Sequence, residues 1–301
     1  MKKHFFMAAA MLLAATSCTN ESELTVVENN AEQATAPVTV RVNDFSITTE
    51  EMPSGGGTTR AAENPASYTN VGAITLAFYD AEDNEVVKTT QLKSETPTGF
   101  GTFRTNLQVG TYTMVVVARQ VGTDDVFTLT SPTEAAYTSE KPREVFCKTQ
   151  SVTVTNASPL DLDVTLNRIS AMLNIVSTDG RPAEATKIRT TFAKGGKSFN
   201  PTSGLALTDA GFSQINNPSA TAGSTIDVGG FLFLYSDEES MTVTIQALDA
   251  DENVLYTNIV PNVPFQRNCK TTLTGAVFAV GTSSASFKIE TAWGTEKTVN
   301  F

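Results

Sequence analysis

The chain has 301 residues, with 21 Lys and Arg against 32 Asp and Glu, a net charge of −11 and one histidine. Such an acidic balance argues against nucleic acid or anionic lipid as a main partner. The one histidine, His4, falls in an N-terminal leader; a chain without it has no Ser-His-Asp or Cys-His catalysis and no His-bearing zinc site. No residue is assigned a catalytic role, and neither a cofactor nor a metal is expected.

Lys2 and Lys3 precede an apolar run from Phe5 to Ala15 that is too short for an ordinary membrane span. Small residues then lead into Cys18. That layout fits a bacterial lipoprotein signal over residues 1–17, with Cys18 the lipidated first residue of the mature chain and an ordinary secretory signal with an incidental cysteine the alternative; several acyl chains anchor stably where one would not. Removing the leader takes Lys2 and Lys3 from the 21 cations and leaves 19 against 32 acids.

In Pro37–Ile47, Val38, Val40 and Val42 alternate with Thr39, Arg41 and Asn43, and Phe45 and Ile47 follow. This is the pattern of a half-buried strand. The next segment, Pro53-Ser-Gly-Gly-Gly-Thr-Thr-Arg60, is a Gly-rich loop ending in a basic residue. Such loops are preferred sites of nicking, so a cut between Arg60 and Ala61 would separate strand and lipid from the rest. The segment also reads as a plain linker with an incidental arginine.

Beyond Ala61, short runs rich in Thr, Val, Ala and Ser alternate between Gly, Pro, Asn and Asp, the signature of an all-β sandwich architecture. Ile74–Tyr79, Thr111–Val117, Val152–Val154, Phe231–Tyr235 and Met241–Ile245 read as strands; Pro132–Tyr137 reads as a short helix or loop. A weak repeat relates Leu76–Val87 to Ile245–Tyr256, each a strand, an acidic turn and a return strand. In the second, Asp249, Asp251 and Asn253 have the spacing of a calcium loop. However, Val254 stands where that loop needs glycine and Val260 where it needs glutamate, so a solvated turn is expected.

Asp161 and Asp163 share one strand face and read as solvated rather than as a catalytic pair. Cys147 and Cys269 read as buried free thiols, with one disulfide between them the alternative.

The last segment, Ser286–Phe301, places Phe287, Ile289, Trp293, Val299 and Phe301 at one parity. Extended, it would reach roughly 50 Å. It reads either as a last pair of strands packing on its own domain or as a strand that pairs with another molecule.

Taken in order, these pieces resemble the fimbrillin family, the subunits of type V pili of Bacteroides-like bacteria. The likeness rests on the lipoprotein signal, Ala36–Val40, Thr59-Arg60-Ala61, Ile74–Tyr79, Gly110–Ala118, Arg168–Ala171 and Pro261–Thr271. It implies two transthyretin-like β-sandwich domains in tandem. The implied division is a signal over 1–17, a lipidated propeptide over 18–60, sandwiches over 61–166 and 167–285, and a C-terminal donor segment over 286–301. An arginine-specific protease would cut after Arg60 and expel the strand bearing Val38, Val40, Val42, Phe45 and Ile47. The C-terminal strand of another pilin subunit would then fill the vacated groove, with Phe287, Ile289, Trp293, Val299 and Phe301 as anchors. The precursor would sit on the outer membrane through its lipid and the product in an extracellular fimbrium that could engage an adhesion receptor. A monomeric glycan-binding surface lipoprotein and an uncleaved anchor subunit are the alternatives.

Overall fold

The computed structural model describes residues 34–46, 62–96, 98–122, 126–138, 141–279, 286–292 and 295–298. Every regular element among them is a strand. In chain order the first ten are β1 (Thr35–Ser46), β2 (Ala62–Glu63), β3 (Ala73–Tyr79), β4 (Glu85–Leu92), β5 (Thr102–Gln108), β6 (Gly110–Arg119), β7 (Phe127–Ser131), β8 (Glu134–Tyr137), β9 (Val145–Val154) and β10 (Leu160–Arg168). They are followed by β11 (Ala171–Ser177), β12 (Lys187–Phe192), β13 (Ser198–Asn200), β14 (Leu205–Ala206), β15 (Phe212–Asn216), β16 (Asp227–Leu232), β17 (Glu238–Leu248), β18 (Val254–Gln266), β19 (Lys270–Gly275), β20 (Ser286–Ala292) and β21 (Thr295–Thr298). The all-β expectation holds.

The first sheet runs β2-β1-β10-β9-β6-β3-β4, with β5 also paired to β1. β9 and β10 meet only at Cys147–Asn167 and Phe146–Arg168. The sheet folds over at this corner into two layers around one core. Val38 and Val40 of β1, Phe103 of β5 and Leu166 of β10 face Leu76 of β3, Val116 of β6 and Val152 of β9 there. A second core lies between the sheets β16-β11-β19-β20-β21 and β15-β12-β17-β18, built from Leu173, Ile188, Val243, Val263 and Leu273 among others.

A third cluster joins the two. β3 is buried on both faces, and the face carrying Ala77 and Tyr79 packs with Tyr137, Phe199 and Phe233. Here β7 and β8 form one four-stranded sheet with β13 and β14. This corrects the helix or loop expected at Pro132–Tyr137. Residues Glu134–Tyr137 are a strand because Ala135 and Tyr137 alternate into the third cluster, and β8 pairs with both β7 and β13.

The two hairpins of the sequence repeat fold alike. In the turn after β3, Asp80 accepts the Asn84 backbone N–H at 2.8 Å and the Asn84 side-chain amide at 3.0 Å, and Asp83 has φ 62°. After β17, Asp249 accepts the corresponding groups of Asn253 at 2.8 and 2.9 Å, and Glu252 has φ 66°. Both carboxylates are held below their ordinary range, chiefly by the Asn side chain and then by the Asn backbone N–H. Their oxygens serve the turn itself. Cys147 and Cys269 are both buried and are not joined by a disulfide; burial pushes the Cys147 thiol up to about 12.

Candidate functional site

The strand β1 is held on both edges. It pairs in parallel with β10 from Val38–Leu160 to Ser46–Asn167, with a bulge between Val42 and Asp44. On its other edge it pairs antiparallel with β5 from Thr35–Gln108 to Arg41–Thr102, then with β2 through Phe45–Glu63 and Ser46–Ala62. Alternation fixes which side chains enter the core. Ala36, Val38, Val40, Val42 and Phe45 are all 5% exposed or less. A β-branched or aromatic side chain contributes about 1.5–3 kcal/mol when fully buried, so this one strand is a large share of the first core. The slot it fills, between β5 and β10, is the site.

Two features mark the slot's ends and rims. On the solvent face Arg41 lies 2.8 Å from Asp161 of β10. Both are well exposed, so the pair stabilises by at most about 1 kcal/mol. Asp163 is also exposed on that face. At the C-terminal end of β1 the Phe45 ring stacks on Phe146 at 4.7 Å and meets Tyr68 edge-on at 5.5 Å. Behind these rings lies a buried polar cluster that sequence reasoning missed. Arg168 Nε lies 2.8 Å from Glu144 Oε1, with side chains 1% and 3% exposed. The Tyr68 hydroxyl donates to Glu144 at 2.7 Å and accepts from Arg168 at 3.0 Å. Asn70 donates to Glu144, and Arg168 also donates to Asn268, just before β19. Burial, and then the Glu144 charge, push the Tyr68 hydroxyl up to about 12. An ion pair so desolvated depends on these added hydrogen bonds. The one signal in the sequence was Arg168 ending an otherwise alternating strand.

The other expected site residues divide by position. Of the strand residues, Val38, Val40, Val42 and Phe45 share one buried face, whereas Ile47 lies outside the described residues. Cys18, Arg60, Ala61, Trp293, Val299 and Phe301 also lie outside them. Phe287 and Ile289 belong to β20, paired antiparallel with Leu273 and Thr271 of β19; β21 turns back on β20 and forms the outer edge of that sheet. Within one molecule β20 and β21 therefore pair as the last two strands of their own sheet.

The class defined so far is an all-β protein in which an N-terminal strand is enclosed in a slot between two others. The chain belongs to a family of unknown function, DUF6562, which matches residues 34–300. No curated protein matches it. Among solved structures, a candidate adhesin of Bacteroides thetaiotaomicron has a TM-score of 0.54 at 12% identity, over 89% of this chain and 98% of its own. A candidate polysaccharide-binding protein of the same organism (DUF1812) has 0.52 at 12%, over 88% and 98%. A candidate adhesin of Bacteroides ovatus has 0.51 at 9%, over 82% and 88%. At these identities the likeness is one of fold.

Proposed function

We propose that this chain is a structural, non-enzymatic subunit of a cell-surface type V pilus. It is exported as a lipoprotein on Cys18, freed by an arginine-specific cut after Arg60, and polymerised by strand exchange. The observation that carries the reading is the enclosed strand. Ser46 at the end of β1 pairs with Ala62, so both ends of the segment bearing Arg60 emerge together. A cut there leaves β1 held only by its ladders and its apolar face.

Loss of β1 would leave β5 and β10 each with an unpaired edge above a row of apolar pockets. Such an edge is a template for another strand. A strand from a second pilin restores both ladders, the β-addition mode of recognition. Because slot and donor are different surfaces, the contact is head-to-tail and propagates as a fibre. The donor is the segment 286–301; its β20 and β21 are the last two strands of their sheet, so their departure unpairs only the edge of β19. The fold shared with candidate adhesins and the sequence resemblance to fimbrillins support the same surface location, with an adhesion receptor as a further partner.

The test is deletion of residues 286–301, followed by cleavage after Arg60. The expected product is a folded monomer that does not polymerise but still accepts a synthetic 286–301 peptide. Polymers at the normal yield would refute the donor assignment.

A further inference from the structure

A cleft of about 840 Å³ opens beside the end of β1, bounded by Ser46, the β9–β10 corner and the turns at 201–204, 237–238 and 266–268. Its volume is that of a small-molecule site, but its walls are unusual. Apart from Cys147, Ile169, Pro201 and Gly204, every lining residue is polar.

Much of that polarity is not used by the protein. Thr149 and Thr202 donate to the Pro201 and Pro132 carbonyls, and Arg267 pairs with Asp237 at 2.8 Å. By contrast, the side chains of Lys148, Thr165, Asn167, Glu238 and Gln266 line the cleft with no hydrogen bond to other described residues. They bring donors and acceptors to the cleft from four strands, β9, β10, β17 and β18.

The balance of groups selects a ligand class. Lys148 and Glu238 cancel, as do Arg267 and Asp237, and Arg168 is neutralised by Glu144 behind the wall, so a polyanion gains no net attraction. The scarcity of apolar wall disfavours lipids. A peptide adding as a strand would need a free edge; the unpaired edges of β9 and β10 reach the cleft only at Lys148, Thr149 and Thr165, too few residues for a ladder. A neutral, hydroxyl-rich chain meets none of these objections, because amide, hydroxyl and charged side chains can donate to and accept from its hydroxyls in the place of water. The turn carrying Asp237 follows Tyr235, which is 54% exposed and offers an aromatic face of the kind that packs against apolar surfaces.

We infer that this cleft is a binding site for a neutral oligosaccharide. The site adjoins the end of the strand slot at Ser46, Thr165 and Asn167 but requires neither cleavage nor polymerisation. The experiment is a calorimetric titration of the full chain, uncut and monomeric, with mannohexaose, xylohexaose, chitohexaose, heparin hexasaccharide and the peptide 286–301. At least one neutral hexasaccharide is expected to saturate one site. The double variant Asn167→Ala/Gln266→Ala is expected to weaken that binding at least ~10-fold, with an unchanged melting temperature showing that the fold is intact. A second variant, Lys148→Ala/Glu238→Ala, keeps the charge balance and is expected to weaken it likewise. Saturation by heparin or the peptide alone, no saturation by any neutral sugar, or sugar binding indifferent to both variants would overturn the inference. None of those results bears on polymerisation, which is read separately.

Discussion

Replacing Phe45 by alanine tests the claim that β1 is an integral but releasable piece of the first core. The side chain is fully buried, stacked on Phe146 and edge-on to Tyr68. A buried Phe→Ala change costs about 3–5 kcal/mol in transfer and cavity terms. For a chain of this size that lowers the melting temperature by about 6–20 °C. The control is Arg41→Ala on the same strand, which removes only an exposed pair and costs at most about 1 kcal/mol. After a cut following Arg60, the same 3–5 kcal/mol acts on retention of the strand rather than on folding. The released fraction of β1 peptide, followed by mass spectrometry, should then rise by about 10²–10⁴ in equilibrium terms. Equal melting temperatures for Phe45→Ala and Arg41→Ala would refute the placement of Phe45. A lowered melting temperature with no change in strand release would refute the idea that β1 is held by its apolar face.

Glu144→Gln should cost about 3–5 kcal/mol, because it leaves Arg168 buried without its counter-charge; a denaturant midpoint unchanged from wild type would contradict the buried pair, and Asp161→Asn is the exposed control. Asp80 and Asp249 have depressed folded-state values, so the stability they contribute is present above their unfolded value near 3.8 and is lost as pH falls through the folded one. The double variant Asp80→Asn/Asp249→Asn should therefore show a shallower loss of stability below about pH 4, read from acid titrations of the melting temperature. Cys147, with its thiol near 12, and the buried Cys269 should both resist alkylation at pH 8 in the folded chain and react on unfolding; rapid labelling of the native protein would contradict their burial.

Alternation made the local elements legible. Val38, Val40 and Val42 enter the core as their spacing requires, and the Asp80 and Asp249 turns carry their capping Asn four residues on. The partners of these elements were not legible. The pairing of β1 with β10 brings together residues 120 apart, such as Arg41 and Asp161, and such a pairing leaves no local pattern. The Tyr68–Glu144–Arg168–Asn268 cluster was hidden for a different reason. Charged side chains are almost never fully buried unless paired, so each one read singly counts as surface. β8 was missed because part of what makes it a strand, its ladder with β13 and the stacking of Tyr137 near Phe233, lies more than sixty residues later in the chain.

The parallel pairing of β1 with β10 also orders events in time. During synthesis β1 emerges first, yet its second neighbour emerges only after the other strands of the first sheet. Closing so long a loop adds little to the free-energy cost, since each doubling of length costs only about 0.6 kcal/mol, but non-local pairing slows folding. The remaining strands have time to gather around their core before the last ladder closes. A slot assembled in this way does not depend on which molecule supplies the strand that fills it, so the route by which the chain folds and the route by which copies join share their final step.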